Sequence, residues 1–238
     1  DYLQLEGVAY KLVPIKTPVN PRNPFDMGRV NTDKMYNIVT NWDWGNMGDP
    51  DIYHDPETRK NSITYRSNLA RLVENLLNED DTERAKEILD LGMENMPTDH
   101  YGYYTLLEPF IDGYYKVGED EKARELWNKV AEKYQQNLDW YSGWDFQRQR
   151  RYAEEIFTDV ERYRGLVDIL VRNQDEEIVK EKADEFNDYL KKFQHFYSEE
   201  EGIEPEVSPE EQLRQQQLEQ ELNQGQAAQD SLTLDAAQ

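Results

Sequence analysis

The chain has 238 residues, 37% of them hydrophobic, so it is long enough to bury one core or a short array of helices. Its 50 acidic and 27 basic residues give a net charge of −23, which argues against nucleic acid or an anionic membrane surface as a partner. The absence of cysteine excludes disulfides, thiolate metal sites and cysteine nucleophiles.

Residues 1–30 predict an extended N-terminal strap rather than a helix. Four prolines lie between Pro14 and Pro24, and each removes a backbone donor and fixes the local backbone angle. Apolar residues alternate at Val8, Tyr10 and Leu12, which is the spacing of a strand. We therefore expect a strap that lies on another part of the molecule and adds a short strand or two.

Helical periodicity predicts a body of helices over residues 31–197. Asn31 or Thr32 is expected to cap a short first helix. The stretch "NWDWGNMGDPDIYHD", residues 41–55, then predicts a turn before the next helix, which is expected from about residue 62.

The following helices are predicted from their caps. Asp81 is expected to cap the second long helix, and Pro97 to end it. Thr105 and Glu108 have the spacing of a capping box, so a further helix is expected to begin near Thr105. A second aromatic turn, "NLDWYSGWDF", is expected at residues 137–146.

Two helix pairs, at about residues 62–97 and 104–135, resemble tetratricopeptide repeats. In each pair a small residue, Ala85 or Ala123, stands where the two helices cross. These alanines are 38 positions apart, against a repeat period of about 34, and the last pair, at about 146–196, is longer still. The predicted fold is all-α: tetratricopeptide-like antiparallel helix hairpins that form a short right-handed solenoid behind the proline-rich strap.

Residues 198–238 differ in composition from the body. They hold 11 acidic residues and one arginine and are rich in glutamine. Such a segment cannot bury enough apolar surface to offset the entropy of ordering, so we expect disorder.

Three segments are similar in amino-acid sequence to one bacterial protein family: "LQLEGVAYKLVPIKTP", "GRVNTDKMYNIVTNWDWGNMGDPDIYHDPETR" and "GYYKVGEDEKA". They resemble the soluble C-terminal region of multi-span membrane proteins that are similar to protein O-mannosyltransferases, of the glycosyltransferase-C type and of unknown function. The resemblance covers about residues 2–135 and includes no catalytic motif.

The resemblance implies a location and a role. The strap would leave the last membrane span of a longer parent chain, and the body would lie on the periplasmic side, tethered to the inner membrane. The catalytic acid and the polyprenyl-phosphate sugar site would belong to the membrane part, so no catalytic residue is carried over. The chain itself has no apolar run of the roughly 18 residues that a membrane span needs. It begins at Asp1 rather than Met, so we interpret it as a mature chain or a fragment.

Residues 41–55 could form a metal or catalytic site, or only a turn between helices. Asp49 and Asp51 resemble the start of a calcium loop, but His54 replaces the required glycine and Lys60 the required glutamate. No metal or cofactor is therefore expected. The three histidines are isolated in sequence, and no catalytic serine motif is present, so no catalytic residue is expected either.

Two hypotheses for function remain open. The first is a non-catalytic helical-repeat domain that binds a protein or the membrane part of its own parent chain. The alternative is a glycan-binding module, because tryptophan faces stack on sugar rings while acidic and amide groups bind hydroxyls. The candidate contact residues for the two hypotheses together are Trp42, Trp44, Asp49, Tyr101, Tyr103, Tyr104, Trp140 and Trp144.

Overall fold

The structure of the protein is a computed structural model that describes residues 1–18, 27–102 and 104–196. Its contacts divide the chain into one unit of residues 1–190 and a second of residues 191–238, of which 191–196 are described. The described chain is mostly helical with one small sheet, which confirms the predominantly helical class. Tyr103 and the predicted disordered tail lie outside the described residues.

The described residues before α1 contribute a three-stranded sheet in the order β2, β1, β3. Strands β1 (Leu3–Glu6) and β2 (Ala9–Leu12) form an antiparallel hairpin, and β3 (Arg29–Val30) pairs in parallel with β1. Gly7 has a φ of 67° at the first position of the two-residue turn, a conformation that glycine adopts without steric cost.

Two polar side chains of helix α2 (Pro56–Asn78) hold the sheet. The amide of Asn68 donates to the carbonyl oxygen of Gly7 at 2.9 Å, and the guanidinium of Arg71 donates to the hydroxyl of Tyr10 at 3.0 Å. Arg71 also donates to the carbonyl oxygen of Gly28 at 3.3 Å. These bonds join the hairpin and the residue before β3 to the first long helix.

The helical elements follow in chain order. They are α1 (Thr32–Thr40), α2 (Pro56–Asn78), α3 (Thr82–Asn95), α4 (Thr98–Tyr101), α5 (Glu108–Lys116), α6 (Asp120–Ser142), α7 (Phe146–Arg151), α8 (Ala153–Arg172) and α9 (Val179–Lys192), with short 3-10 turns at Tyr104–Leu106 and Gln194–Phe196.

Two of the predicted helix caps are confirmed. The side chain of Asn31 accepts a hydrogen bond from the amide of Lys34, and that of Asp81 accepts one from the amide of Arg84. Helix α2 begins earlier than expected because Asp55 caps it and Pro56 occupies its first position. Both residue types are favoured at these positions, so this start was present in the sequence and was missed.

The predicted start of α5 was wrong. Leu107, not Thr105, occupies the N-cap position, and no side chain caps this helix. A helix capped at residue 105 would carry Pro109 into its fourth position, where the ring meets the carbonyl of residue 105. Beginning at Glu108 keeps Pro109 in the first turn.

The predicted turn at residues 137–146 was too long. Helix α6 continues to Ser142, because Leu138 extends the buried face of Tyr134 by one turn and is itself fully buried. Only three residues then separate α6 from α7, where Asp145 accepts a hydrogen bond from the amide of Arg148.

The helices pack pairwise, and each later pair packs on the one before it. Helix α2 packs on α3, and α5 packs on α6; in addition, α5 contacts both α2 and α3, and α8 contacts both α5 and α6. The crossing of α3 with α5 is close because a Cβ atom on Gly92 would lie 2.8 Å from the ring of Phe110. In the next layer the indole of Trp127 donates to the carbonyl oxygen of Leu166 at 2.7 Å.

Candidate functional site

The tryptophans of residues 41–55 belong to a packed aromatic joint. The ring centroids of Trp42 and Trp44 lie 5.2 Å apart, and Tyr65 of α2 lies 5.4 Å and 5.7 Å from them. A Cβ atom on Gly7 would come within 2.8 Å of the ring of Trp42, so the hairpin turn covers that ring. Both tryptophans are half-buried, and the indole nitrogen of Trp44 is out of reach of solvent.

The acidic side chains of this stretch accept hydrogen bonds from nearby backbone amides. Asp43 accepts from Gly45 at 2.9 Å, Asp49 from Asp51 at 3.0 Å, and Asp55 from Glu57 at 2.9 Å. In the described part of the chain, no three His, Cys, Asp or Glu side chains come together in a way that could hold a metal ion. Asp49, one of the candidate contacts, thus stabilises a local turn.

Tyr101 is a structural tie rather than an exposed contact. Its side chain is 2% exposed, and its hydroxyl donates to the carbonyl oxygen of Met47 at 3.0 Å. Burial raises the pKa of this phenol. Tyr104 is half-buried, with the ammonium group of Lys133 5.9 Å from its ring centroid.

Arg66 is a buried cation that the sequence reasoning missed. It is fully buried, and its guanidinium donates to the carbonyl oxygens of Met96 and Gly102. Burial lowers its pKa to about 10, so it stays charged at neutral pH. Arg66 precedes Leu69 by three positions on the apolar stripe of α2, and this spacing could have indicated its burial.

The two described histidines of the first unit each have one ring nitrogen that is buried without a hydrogen-bond partner. His54 packs on Tyr101 with ring centroids 5.6 Å apart, and Nε2 of His54 is buried without a hydrogen-bond partner. Nδ1 of His100 is likewise buried and unpaired.

A second aromatic cluster is open to solvent. Trp140 is 60% exposed, and its ring centroid lies 4.6 Å from that of Trp144. Trp144 also contacts Tyr141 at 5.1 Å and Tyr152 at 5.2 Å, so four rings form one continuous surface. Of the candidate tryptophans, Trp140 is the one that presents a ring to a partner.

A groove of about 380 Å³ separates helices α2 and α5 on one side of the body. Its walls carry both signs of charge together with apolar stems, from Ser67, Arg71, Glu74, Pro109, Asp112 and Lys116. Asp112 is already bound by the ammonium group of Lys116 at 2.6 Å and by the amide of Asn173 at 2.9 Å. The groove is thus a mixed surface in which the carboxylate of Asp112 is already paired.

Within the described residues, no helix combines the length and the apolar character needed to cross a membrane. Comparison with protein-family models, with curated proteins and with solved structures found no match to this chain.

Proposed function

We propose that this chain is a non-catalytic interaction domain of the helical-repeat type. The observation that carries the proposal is the stacking of helix pairs, in which α5 packs on both helices of the pair α2–α3 and α8 on both helices of the pair α5–α6. Repeat proteins bury a continuous core in this way, because each pair contacts its neighbours and cannot bury its apolar face alone. Successive tetratricopeptide-like hairpins in a short right-handed solenoid account for this packing.

The setting of the domain belongs to the same proposal. The family resemblance supports a periplasmic, membrane-tethered accessory region of a glycosyltransferase-C-type parent. Its partner would be a protein or the membrane part of its own parent chain.

The proposal is tested by assaying the purified chain for glycosyl transfer and glycoside hydrolysis. Polyprenyl-phosphate sugars serve as donors, and peptides and oligosaccharides as acceptors. We expect no turnover above the rate without protein. Turnover by the isolated chain that follows the protein through purification would refute the non-catalytic role.

Glycan binding remains the second candidate, favoured by the open ring of Trp140. The half-buried Trp42 and Trp44 offer less free ring surface than the exposed Trp140. Titration of peptidoglycan fragments and neutral oligosaccharides against tryptophan fluorescence decides the matter. Saturable quenching that Trp140→Ala abolishes and Trp42→Phe retains would favour the glycan hypothesis over the protein one.

A further inference from the structure

The exposed aromatic cluster adjoins helix α7, which carries three arginines: Arg148 lies against the ring of Trp144, and Arg150 and Arg151 directly precede Tyr152. Trp140 is 60% exposed and Tyr152 is 38% exposed, which is unusual for rings of this size. The arginines all lie on helix α7 and are exposed. We call this surface the basic aromatic patch, and it consists of Trp140, Trp144, Arg148, Arg150, Arg151 and Tyr152.

A buried glutamine of α7, Gln149, holds the patch in place by hydrogen bonds to the backbone. The side-chain amide of Gln149, which is 5% exposed, donates to the carbonyl oxygens of Tyr141 at 3.0 Å and Trp144 at 3.2 Å. This buried residue pins α7 to the end of α6. The exposed arginines on either side of it are therefore presented on a fixed helix, which lowers the entropy that a partner would have to remove on binding.

Two of the three arginines of the patch make no charged contact inside the described fold. The guanidinium carbon of Arg148 lies 4.0 Å from the ring centroid of Trp144, a cation–π contact. Arg150 and Arg151 make no hydrogen bond or ion pair through their side chains within the described residues. Other arginines of the body are paired, as Arg124 is with Asp175 at 2.7 Å.

Unpaired arginines are unexpected in a chain of this composition. With 50 acidic residues against 27 basic ones, most cations have a carboxylate available. Glu154 and Glu155 follow directly in the first turn of α8, yet neither pairs with these arginines in the described structure. The arginines thus remain available for an anionic group from outside.

We propose that the basic aromatic patch binds an acidic segment of a partner polypeptide, with Arg150 and Arg151 holding carboxylates and Trp140 covering an adjacent apolar side chain. The proposal rests on the proposed function and names a surface and a partner chemistry for it. Tryptophan, tyrosine and arginine are the residue types that dominate binding energy at protein interfaces. Arginine also binds carboxylates with two parallel hydrogen bonds, and clusters of arginine recognise acidic motifs.

The net charge of the chain favours a short segment over an extended anionic surface. A membrane or a nucleic acid would bring many negative charges against the rest of the chain, whose total charge is −23. At physiological salt, charges are screened beyond about 8 Å, so a short segment feels mainly the patch and not the distant carboxylates. The acidic surroundings then restrict such a segment to this position.

The test follows the tryptophan indole N–H signals of the full chain by nuclear magnetic resonance. The probe is a short synthetic peptide in which glutamates flank one leucine–phenylalanine pair, and its counterpart carries glutamine in place of each glutamate. Of the 5 tryptophans, Trp140 and Trp144 lie in the patch, so their signals should shift with the acidic peptide. The signals of Trp42, Trp44 and Trp127 should stay in place and report an intact fold.

Three variants locate the binding. Arg150→Gln with Arg151→Gln should weaken the acidic peptide by about tenfold or more, and Trp140→Ala by a similar factor. The matched control, Arg162→Gln with Arg164→Gln, removes the same charge from half-exposed side chains of α8 and should change affinity by less than about twofold. Added salt should weaken the acidic peptide.

Several outcomes would overturn the proposal: no shift of the Trp140 signal, equal binding of the glutamine peptide, or undiminished binding by the Arg150 and Arg151 variant. Binding to phosphatidylglycerol vesicles without binding to the peptide would assign the patch to a lipid surface instead. If the acidic peptide does not bind the patch and the chain still shows no enzymatic turnover, the proposed interaction role stands. It would then belong to another surface, such as the groove between α2 and α5. The proposed non-catalytic function itself would be refuted only by glycosyl transfer or glycoside hydrolysis by the purified chain.

Discussion

At the scale of single residues, the least expected feature is a charged side chain inside the helical body. Arg66 takes a position of the apolar stripe of α2 and uses its guanidinium to hold the turn after α3. A cation at the last carbonyls of a helix is electrostatically favourable, since those carbonyls carry partial negative charge. The buried arginine therefore fixes the turn that leads from the first helix pair to the second.

Arg66→Ala should lower the free energy of unfolding by about 3 kcal/mol. The substitution leaves the carbonyl oxygens of Met96 and Gly102 without their donor and opens a cavity at a fully buried position. Chemical denaturation measures the loss. Arg162→Ala, at a half-exposed side chain, should cost less than about 1 kcal/mol, and equal losses in the two variants would contradict a special role for Arg66.

Glu108 should make the protein less stable as pH rises. Burial raises the pKa of this carboxyl above its ordinary value, although Arg162 and Arg172 oppose the shift. The native state therefore binds the proton more tightly than the unfolded state, and the resulting stability is lost as pH rises through the native pKa. Glu108→Gln should gain stability relative to the unsubstituted chain as pH rises above the ordinary pKa of a glutamate, measured by denaturation at each pH.

Asp175 should have the opposite effect on the pH dependence of stability, measured by the same denaturation experiment. Its carboxylate accepts hydrogen bonds from Arg124 and from the hydroxyl of Tyr115, and these bonds lower its pKa. The stability that they supply is present above the ordinary pKa of an aspartate and is lost as pH falls through the native pKa. Asp175→Asn should cost about 2 kcal/mol at neutral pH, with a smaller deficit in acid. Deficits or gains that do not vary with pH in either variant would contradict these assignments.

At the scale of elements, the stacking of the helix pairs depends on close crossings. Gly92 lets α3 approach α5, since the ring of Phe110 lies where its side chain would be. Gly165 on α8 is different, because a Cβ atom there would meet only Oε2 of Glu108 at 3.7 Å, an ordinary contact. Close packing thus requires a glycine at position 92 but not at position 165.

Gly92→Ala should destabilise the protein by about 1 to 3 kcal/mol through overpacking at the crossing. Gly165→Ala should leave stability unchanged or raise it by up to about 1 kcal/mol, because alanine is the better helix former and finds space. Thermal or chemical unfolding of both variants gives the comparison. A harmless Gly92→Ala would show that α3 and α5 do not cross as closely as described.

Elements that depend on interactions between residues close in sequence could be predicted, whereas those that depend on distant contacts could not. Asn31 and Asp81 were recognised as caps because a cap depends on amides within three residues. The end of α6 and the start of α5 were misplaced, since burial of Leu138 and the clash of Pro109 outweighed local turn signals. The burial of Trp42 was not predictable from spacing, because the covering turn at Gly7 is distant in sequence.

At the scale of the whole molecule, charge is the property that most restricts partners. The strongly acidic composition was evident from the sequence, whereas the basic aromatic patch emerged only when the structure placed Trp140 and Trp144 beside the arginines of α7. The run of arginine at residues 148–151 was a readable signal, since it contrasts with the acidic body. Its exposure and lack of ion pairs depend on tertiary packing and could not be inferred.

The central claim, that this chain acts by binding a polypeptide, is tested most directly by photo-cross-linking in the native host. A photoreactive phenylalanine derivative replaces Trp140 in the patch or Ser67 in the groove, and the adducts are identified by mass spectrometry. We predict a discrete protein adduct from at least one position, and for Trp140 one that Arg150→Gln with Arg151→Gln removes. Adducts of lipid or glycan alone at both positions, or no adduct at either, would contradict the claim.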